Sequence, residues 1–221
     1  MKKIVFINGS PKGKKSGSEY FLERIESKLN ISDDNIKLSK INIKDRSSKR
    51  DSFKLIKDSD IVVIAFPLYV DTLPSTVIEY LEEFEDWINM NGYKVNKINL
   101  YGVVNCGFYE GEQTKIAIRV LKNYCNSLGI KWCGGIGIGA GEFFSGSQNI
   151  PWQAKIKEDA RLALDNMKDC IIKGQAMQTD IFVTAKLNKR IFLLGGSYGW
   201  IYQGIKNGVS IRSLWNKPHI K

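Results

Sequence analysis

The chain predicts an α/β fold: a doubly wound, five-stranded parallel sheet of order 2-1-3-4-5, followed by a C-terminal extension. Three observations carry this. Short apolar runs at residues 4–7, 61–66, 98–106 and 130–138 suit strands covered on both faces of a parallel sheet. Segments with apolar residues at helical spacing lie between them, and strands alternating with helices argue βαβ units. Glycine, serine or proline follows each run, so the reversals fall at the carboxyl ends of strands, where open α/β sheets bind ligands.

The first strand, residues 4–7, leads into a loop with Gly9, Gly13 and Gly17, which permit turns that a Cβ obstructs, and with the hydroxyls of Ser10, Ser16 and Ser18. Ser18 is the expected N-cap of a helix with Phe21, Ile25 and Leu29 on one face. Residues 36–43 alternate as a strand near a sheet edge, with a one-residue slip at Ser39–Lys40, and residues 45–58 hold a short helix anchored by Phe53, Leu55 and Ile56. The run at 60–67 stops at Pro67, which cannot extend a ladder. After the loop at 68–74, a helix from Ser75 turns Val77, Ile78, Leu81, Phe84 and Ile88 inward and a solvated acidic face outward. The strand at 98–106 ends in a loop reaching Gly111, and a helix over 112–128 places Ile116, Val120, Leu121, Tyr124 and Leu128 inward, with Gly129 closing it. The last strand is 130–138. A long helix starts at Pro151, with Ile156, Ala160, Ala163, Met167 and Ile171 inward, and ends at Gly174. The expected domain is therefore 1–174, and 175–221 is a basic, partly apolar extension packing on that domain or on a second subunit.

Composition narrows the function. The 221 residues are 43% hydrophobic and 25% charged, ordinary for a globular chain with one well-buried core. No apolar run reaches the length of a membrane helix, and the start is no signal peptide, so no membrane span and a cytoplasmic location are expected. Cys106, Cys125, Cys133 and Cys170 are scattered, without the spacing of a zinc, iron–sulfur or thioredoxin site. His219 is the one histidine and nearly terminal, which argues against a histidine-rich metal site and histidine general-base chemistry. The net charge of +10 gathers at the two ends, and residues 173–221 contain only Asp180 as an acid. Nucleic acid or an anionic membrane surface could bind such ends, but no nucleic-acid motif accompanies the charge; solubility and attraction for a phosphorylated small molecule are the favoured explanation, and nucleic acid is not an expected partner. Gly195-Gly196-Ser197-Tyr198-Gly199 matches a G-x-S-x-G nucleophile elbow, but no acid follows Ser197, so the match lacks a triad.

The loop after the first strand is the candidate site. A strand, a donor-rich loop and a helix N-terminus form a phosphate cradle. Gly9 and Gly13 enclose too few residues for a P-loop, and G-x-G-x-x-G is absent. A monophosphate held by backbone and hydroxyls is the remaining ligand reading, beside an ordinary βα loop. In the predicted strand order the loops after strands one, three and four open on one rim, leaving room for a flat ring beside the aromatics Tyr69, Phe108 and Tyr109.

NGSPKGKKSGS, FPLYVDTLPS and VVNCGFYEG, in that order, resemble the flavodoxin-like NAD(P)H-dependent FMN reductase and oxidoreductase family over residues 1 to 172. The resemblance implies FMN, NAD(P)H as co-substrate, and a homodimer. It implies an FMN-dependent NAD(P)H oxidoreductase passing hydride from NAD(P)H through bound FMN to an acceptor such as a quinone, a nitroaromatic or a flavin. It places the FMN phosphate on Ser10, Ser16, Gly17 and Ser18, and the ring between Pro67, Leu68, Tyr69 and Val70 on one side and Asn105, Cys106, Gly107 and Phe108 on the other. Lys12 joins the cofactor-binding set as one of the basic residues, with Lys14 and Lys15, that exceed what an FMN phosphate needs and could hold the phosphate of a nicotinamide nucleotide. No catalytic acid or base is assigned, since the cofactor carries the chemistry. A related iron–sulfur branch has a cysteine cluster between strands two and three; residues 45–58 contain no cysteine, so neither a cluster nor another metal is expected. The alternatives are a flavodoxin-type electron carrier without its own NAD(P)H activity, and a basic adaptor that kept the fold and lost FMN.

Overall fold

The computed structural model describes residues 1–29, 35–45 and 49–216. The chain divides into two compact units, Met1–Lys186 and Leu187–Lys221. The first is a six-stranded, all-parallel sheet of order β2-β1-β3-β4-β5-β6. Its strands are β1 (Lys2–Asn8), β2 (Ile36–Asn42), β3 (Ile61–Pro67), β4 (Asn99–Asn105), β5 (Lys131–Ile138) and β6 (Ile181–Val183). Its helices are α1 (Gly17–Leu29), α2 (Lys49–Lys57), α3 (Ser75–Met90), α4 (Lys115–Leu128), α5 (Gly141–Gly146) and α6 (Glu158–Lys173). The second unit carries α7 (Lys189–Lys206).

The apolar runs became central strands because both faces are covered. Val5, Ile7, Val62, Ile64, Leu100 and Val104 share one core with Phe53, Val77, Leu81, Phe84, Ile118 and Leu121 of α2, α3 and α4. On the other face α1 packs against α6, β3 and β4, with Phe21, Ile25, Ala160, Ala163 and Met167 all buried. β1 has β2 on one side and β3 on the other, so the chain reverses direction across the sheet at β1/β3.

Several details differ from the sequence reading. The sheet has a sixth strand, drawn from the expected extension. Asp180 fixes it: one carboxylate oxygen accepts from the Gly135 amide at 2.7 Å and from the Trp132 indole at 3.2 Å. β2 is indeed an edge strand, but its ladder to β1 runs unbroken through Ser39 and Lys40. The long helix begins at Glu158 rather than Pro151, since a turn and then a 3-10 turn at Lys155–Lys157 occupy the residues between them. α4 buries Ala117, Ile118, Leu121 and Cys125, while Ile116 and Val120 face water. In α3 it is Tyr80 that turns inward and Ile78 that does not. The Gly195–Gly199 stretch lies inside α7, with no strained turn: the Ser197 hydroxyl donates to the Leu193 carbonyl one helical turn back. His219 lies outside the described residues.

Candidate functional site

The cradle is built outward from Asn8, the last residue of β1 and fully buried. Its Oδ1 accepts from the Ser10 amide at 2.9 Å. Its Nδ2 donates to the Gly13 carbonyl at 3.1 Å and to Glu19 Oε2 at 2.7 Å, with Ser16 Oγ at 3.4 Å. One amide thus fixes the start, middle and end of the loop. Gly13 takes φ +63, a conformation that favours glycine. Gly9 has no room for a side chain: a Cβ there would lie 2.7 Å from Val77 Cγ2 and 3.0 Å from Phe66 Cβ. That close approach seats the first loop against β3 and α3.

The N-cap of α1 is Ser16, not Ser18. Ser16 Oγ accepts from the Glu19 amide at 3.1 Å. Ser16 and Glu19 have the S-x-x-E spacing of a capping box, although here the glutamate side chain reaches Asn8 instead of the cap amide. The amides of Gly17 and Ser18 are the first two of the helix and have no acceptor within it. The Ser18 hydroxyl donates to Asn105 Oδ1 at 2.8 Å, tying α1 to the end of β4.

The second loop opens with Pro67 paired to Asn105 in the ladder and the Leu68 amide donating to the Asn105 carbonyl at 2.8 Å. Tyr69 and Thr72 then exchange both backbone hydrogen bonds at 3.0 Å, with Val70 at φ 47 and Asp71 at φ 61 between them. Two consecutive positive φ values make a mirror-image hairpin turn that glycine or asparagine would occupy at lower cost. In the third loop the Cys106 amide donates to the Ile138 carbonyl and the Cys106 carbonyl accepts from the Gly141 amide. Burial pushes the Cys106 thiol up to about 11, so it is a neutral wall rather than a thiolate nucleophile. The Thr184 hydroxyl, just beyond β6, donates to the Tyr109 carbonyl and holds this loop from outside.

These loops open on one edge and line one cleft. Ser10, Lys12, Ser16, Gly17, Ser18, Pro67, Leu68, Tyr69, Asn105, Cys106 and Gly107 all line it. Val70 and Phe108 do not: Val70 is 96% exposed at the turn tip, and Phe108 is 55% exposed on the rim. Three further lining residues come from α5, the short helix after β5: Gly141, Glu142 and Ser145. The sequence reading passed over them; Lys15, one of the extra basic residues of the first loop, lines the cleft as well. Asn8 and the Ser16/Glu19 spacing were legible signals that it did not use. Lys14 is exposed and does not line the cleft.

Lys157 supports the segment after α5 from beneath. It is buried, and its ammonium donates to the carbonyls of Ser147 at 2.7 Å and Ile150 at 3.0 Å, with the Tyr20 hydroxyl at 3.4 Å. Desolvation, and then the nearby Arg24 charge, lower its pKa. It fastens residues 147–150 to α1, close behind α5.

The donor set fits a phosphate monoester. Two orphan helix amides face the cleft edge that carries Lys12 and Lys15, and the Ser10 and Ser16 hydroxyls each retain a proton to donate, since their oxygens are otherwise acceptors. The backbone is also shaped for close approach. A Cβ on Gly17 would lie 3.3 Å, and one on Gly141 3.2 Å, from Asn105 Nδ2. The enclosed volume is ≈ 130 Å³, below the roughly 300–1,000 Å³ of sites that bury a whole drug-sized ligand. A ligand anchored here therefore keeps a face open to solvent. Among the described residues no cluster of metal-ligating side chains occurs.

No protein-family model and no curated protein sequence matches the chain. Solved structures do. An NADH:FMN oxidoreductase in its apo form superposes with a TM-score of 0.62 at 14% identity, covering 80% of this chain and 92% of its own. An azoreductase from Bacillus anthracis str. Sterne gives a TM-score of 0.55 at 13% identity, covering 78% of this chain and 100% of its own. An NADPH-quinone reductase from P. pentosaceus gives 0.54 at 12% identity, covering 76% and 98% respectively. What the chain shares with these proteins is the flavodoxin-like fold, with β6 and the segment after it added at its end.

Proposed function

We propose that the chain is an FMN-dependent NAD(P)H oxidoreductase, with FMN seated in the cleft between the three loops and α5. The observation that carries this reading is that residues far apart in the sheet domain, from Ser10 to Ser145, converge on one cleft that joins the phosphate donors of the first loop to the uncharged residues of the second and third loops. The fold shared with an NADH:FMN oxidoreductase, an azoreductase and an NADPH-quinone reductase supports it.

The amides of Gly17 and Ser18, the hydroxyls of Ser10 and Ser16, and the ammonium groups of Lys12 and Lys15 hold the phosphate. Ser18 contributes its amide only, because its hydroxyl is committed to Asn105. Pro67, Leu68 and Tyr69 line one side of the ring, and Asn105, Cys106 and Gly107 the other. The amides of Leu68, Tyr69 and Cys106 already donate to Asn105, Thr72 and Ile138. The Gly107 amide is thus the better placed to meet the polar edge of the ring. Tyr69, 41% exposed, and Phe108 flank the open face, where a nicotinamide and then the acceptor would stack in turn. When bound, FMN supplies two-electron redox chemistry between NAD(P)H and an acceptor such as a quinone or an azo or nitroaromatic compound. The protein binds and orients; Cys106 keeps its proton, and no side chain is needed as acid or base.

The test is anaerobic. Protein loaded with FMN is mixed with NADH or with NADPH, and the absorbance of oxidised flavin is followed. Bleaching by one or both, reversed by a quinone, is expected. Tight FMN binding with no bleaching by either nucleotide would overturn the oxidoreductase reading and leave an electron carrier; no FMN binding would overturn the site.

A further inference from the structure

The second unit has a surface that the cleft does not explain. α7 spans eighteen residues and buries none of them. Leu194, Tyr198, Ile201 and Ile205 recur along one side, all exposed, while Leu193 and Trp200, the latter 76% exposed, lie on the other. Within the unit the chain folds back so that Leu214 sits over Gly204, where a Cβ would come within 3.0 Å of it. That cover leaves the Leu194–Ile205 row open. Four glycines, at 195, 196, 199 and 204, lower the intrinsic helicity, so α7 depends on a surface to lie against.

Charge selects the surface. From residue 181 to 221 the sequence has seven Lys or Arg residues and no Asp or Glu. The cations within α7 stand at its ends, Lys189 and Arg190 at one and Lys206 at the other, with Arg212 following. A helix pair between two copies brings cations against cations in either orientation, with no carboxylate in this unit to separate them. It also covers one row and leaves Trp200, Leu193 and Trp215 in water. An anionic lipid surface meets both requirements: the headgroups neutralise the ends, and the acyl boundary takes up apolar side chains on a broad front. Tyr198, Trp200, Tyr202 and Trp215 are the residue types that favour that boundary. Among the described residues no helix is long and apolar enough to cross a membrane, so α7 lies in the plane of the surface.

We propose that residues 187–216 form a membrane-surface anchor that lays α7 on anionic lipid headgroups. The full chain is sedimented with vesicles of phosphatidylcholine alone and with vesicles containing an equal share of phosphatidylglycerol. Binding to the anionic vesicles and not to the neutral ones is expected. Arg190→Gln with Lys206→Gln should lower the partition coefficient roughly 30-fold, and Leu194→Ser with Tyr198→Ser should abolish binding. Unchanged helical circular dichroism shows that these variants keep α7; the proposal already stands or falls on the unsubstituted chain. Failure to bind either vesicle, or equal binding to both, overturns it. So does a dimer in sedimentation velocity that Leu194→Ser with Tyr198→Ser converts to monomer, since a second copy would then be what covers α7.

Discussion

Two stretches of this chain read alike: NGSPKGKKSGS at 8–18 and GGSYG at 195–199, both dense in glycine and serine. In the first, Ser10, Ser16 and Ser18 are buried and each has a defined hydrogen bond. In the second, Ser197 is exposed on a helix and bonds only to its own turn. Small residues permit a cradle without making one. The difference lies in what precedes them. Asn8 leaves a buried strand and organises the loop with four hydrogen bonds, whereas Asn188, at the start of α7, only caps a helix through the Arg190 amide.

Breaking the organiser should have the largest effect. Asn8→Ala removes the partners of the Ser10 amide, the Gly13 carbonyl and Glu19 together. It is expected to cost about 2–4 kcal/mol in urea unfolding and to weaken FMN binding roughly a hundredfold by fluorescence titration. A loss below tenfold would mean that the loop holds its shape without Asn8.

Alkaline pH should separate the two units next. Burial raises Cys106 to about 11, and Cys125 and Tyr80 to about 12, and it also raises Tyr101, Tyr124 and Cys133. The unfolded chain releases these protons at the ordinary thiol and phenol values, so between about pH 9 and 12 the folded state holds protons that the unfolded state has lost. Stability is therefore full below about pH 8 and falls as pH rises. The expected loss is about 3 kcal/mol by about pH 10, seen as a drop in the thermal midpoint under reducing conditions. All these groups lie in the sheet unit, and a midpoint independent of pH would contradict their burial.

Lys12→Gln with Lys15→Gln tests charge against geometry within the cradle. FMN affinity should fall about tenfold at low salt and by less at high salt. At the other stretch the expected effects are smallest. Ser197→Ala should leave FMN affinity and NAD(P)H oxidation unchanged, and Gly196→Ala should add about 0.5–1 kcal/mol to α7 helicity, read by circular dichroism. A Ser197→Ala variant that lost NAD(P)H oxidation would restore the nucleophile-elbow reading.

The sequence made the parallel core and most of the cleft legible because both depend on local signals. Apolar runs mark strands buried on two faces, and the glycine-, serine- and proline-rich reversals mark their carboxyl ends. The rest depended on contacts between distant residues. β6 is three residues long, too short for any pattern, and its place follows from Asp180 meeting Gly135 and Trp132. Glu142 and Ser145 enter the cleft because Ala140, at φ 53, turns the chain there. Val70 leaves it because the turn at 69–72 points its tip outward, which the run LYVDTLP does not reveal. On α4 Leu121, Tyr124 and Leu128 pack on the core as the spacing predicts, but the small Ala117 and Cys125 take the buried positions while the larger Ile116 and Val120 stay outside.

The sixth strand has a consequence for the order in which the molecule comes into being. A chain emerging from the ribosome completes β5 more than forty residues before Val183. During that interval the open margin of β5 presents unpaired amides and carbonyls to whatever strand it meets. The same late residues bring Thr184 onto the Tyr109 carbonyl. Protection of the nascent sheet and closure of its third loop therefore arrive together, late in synthesis.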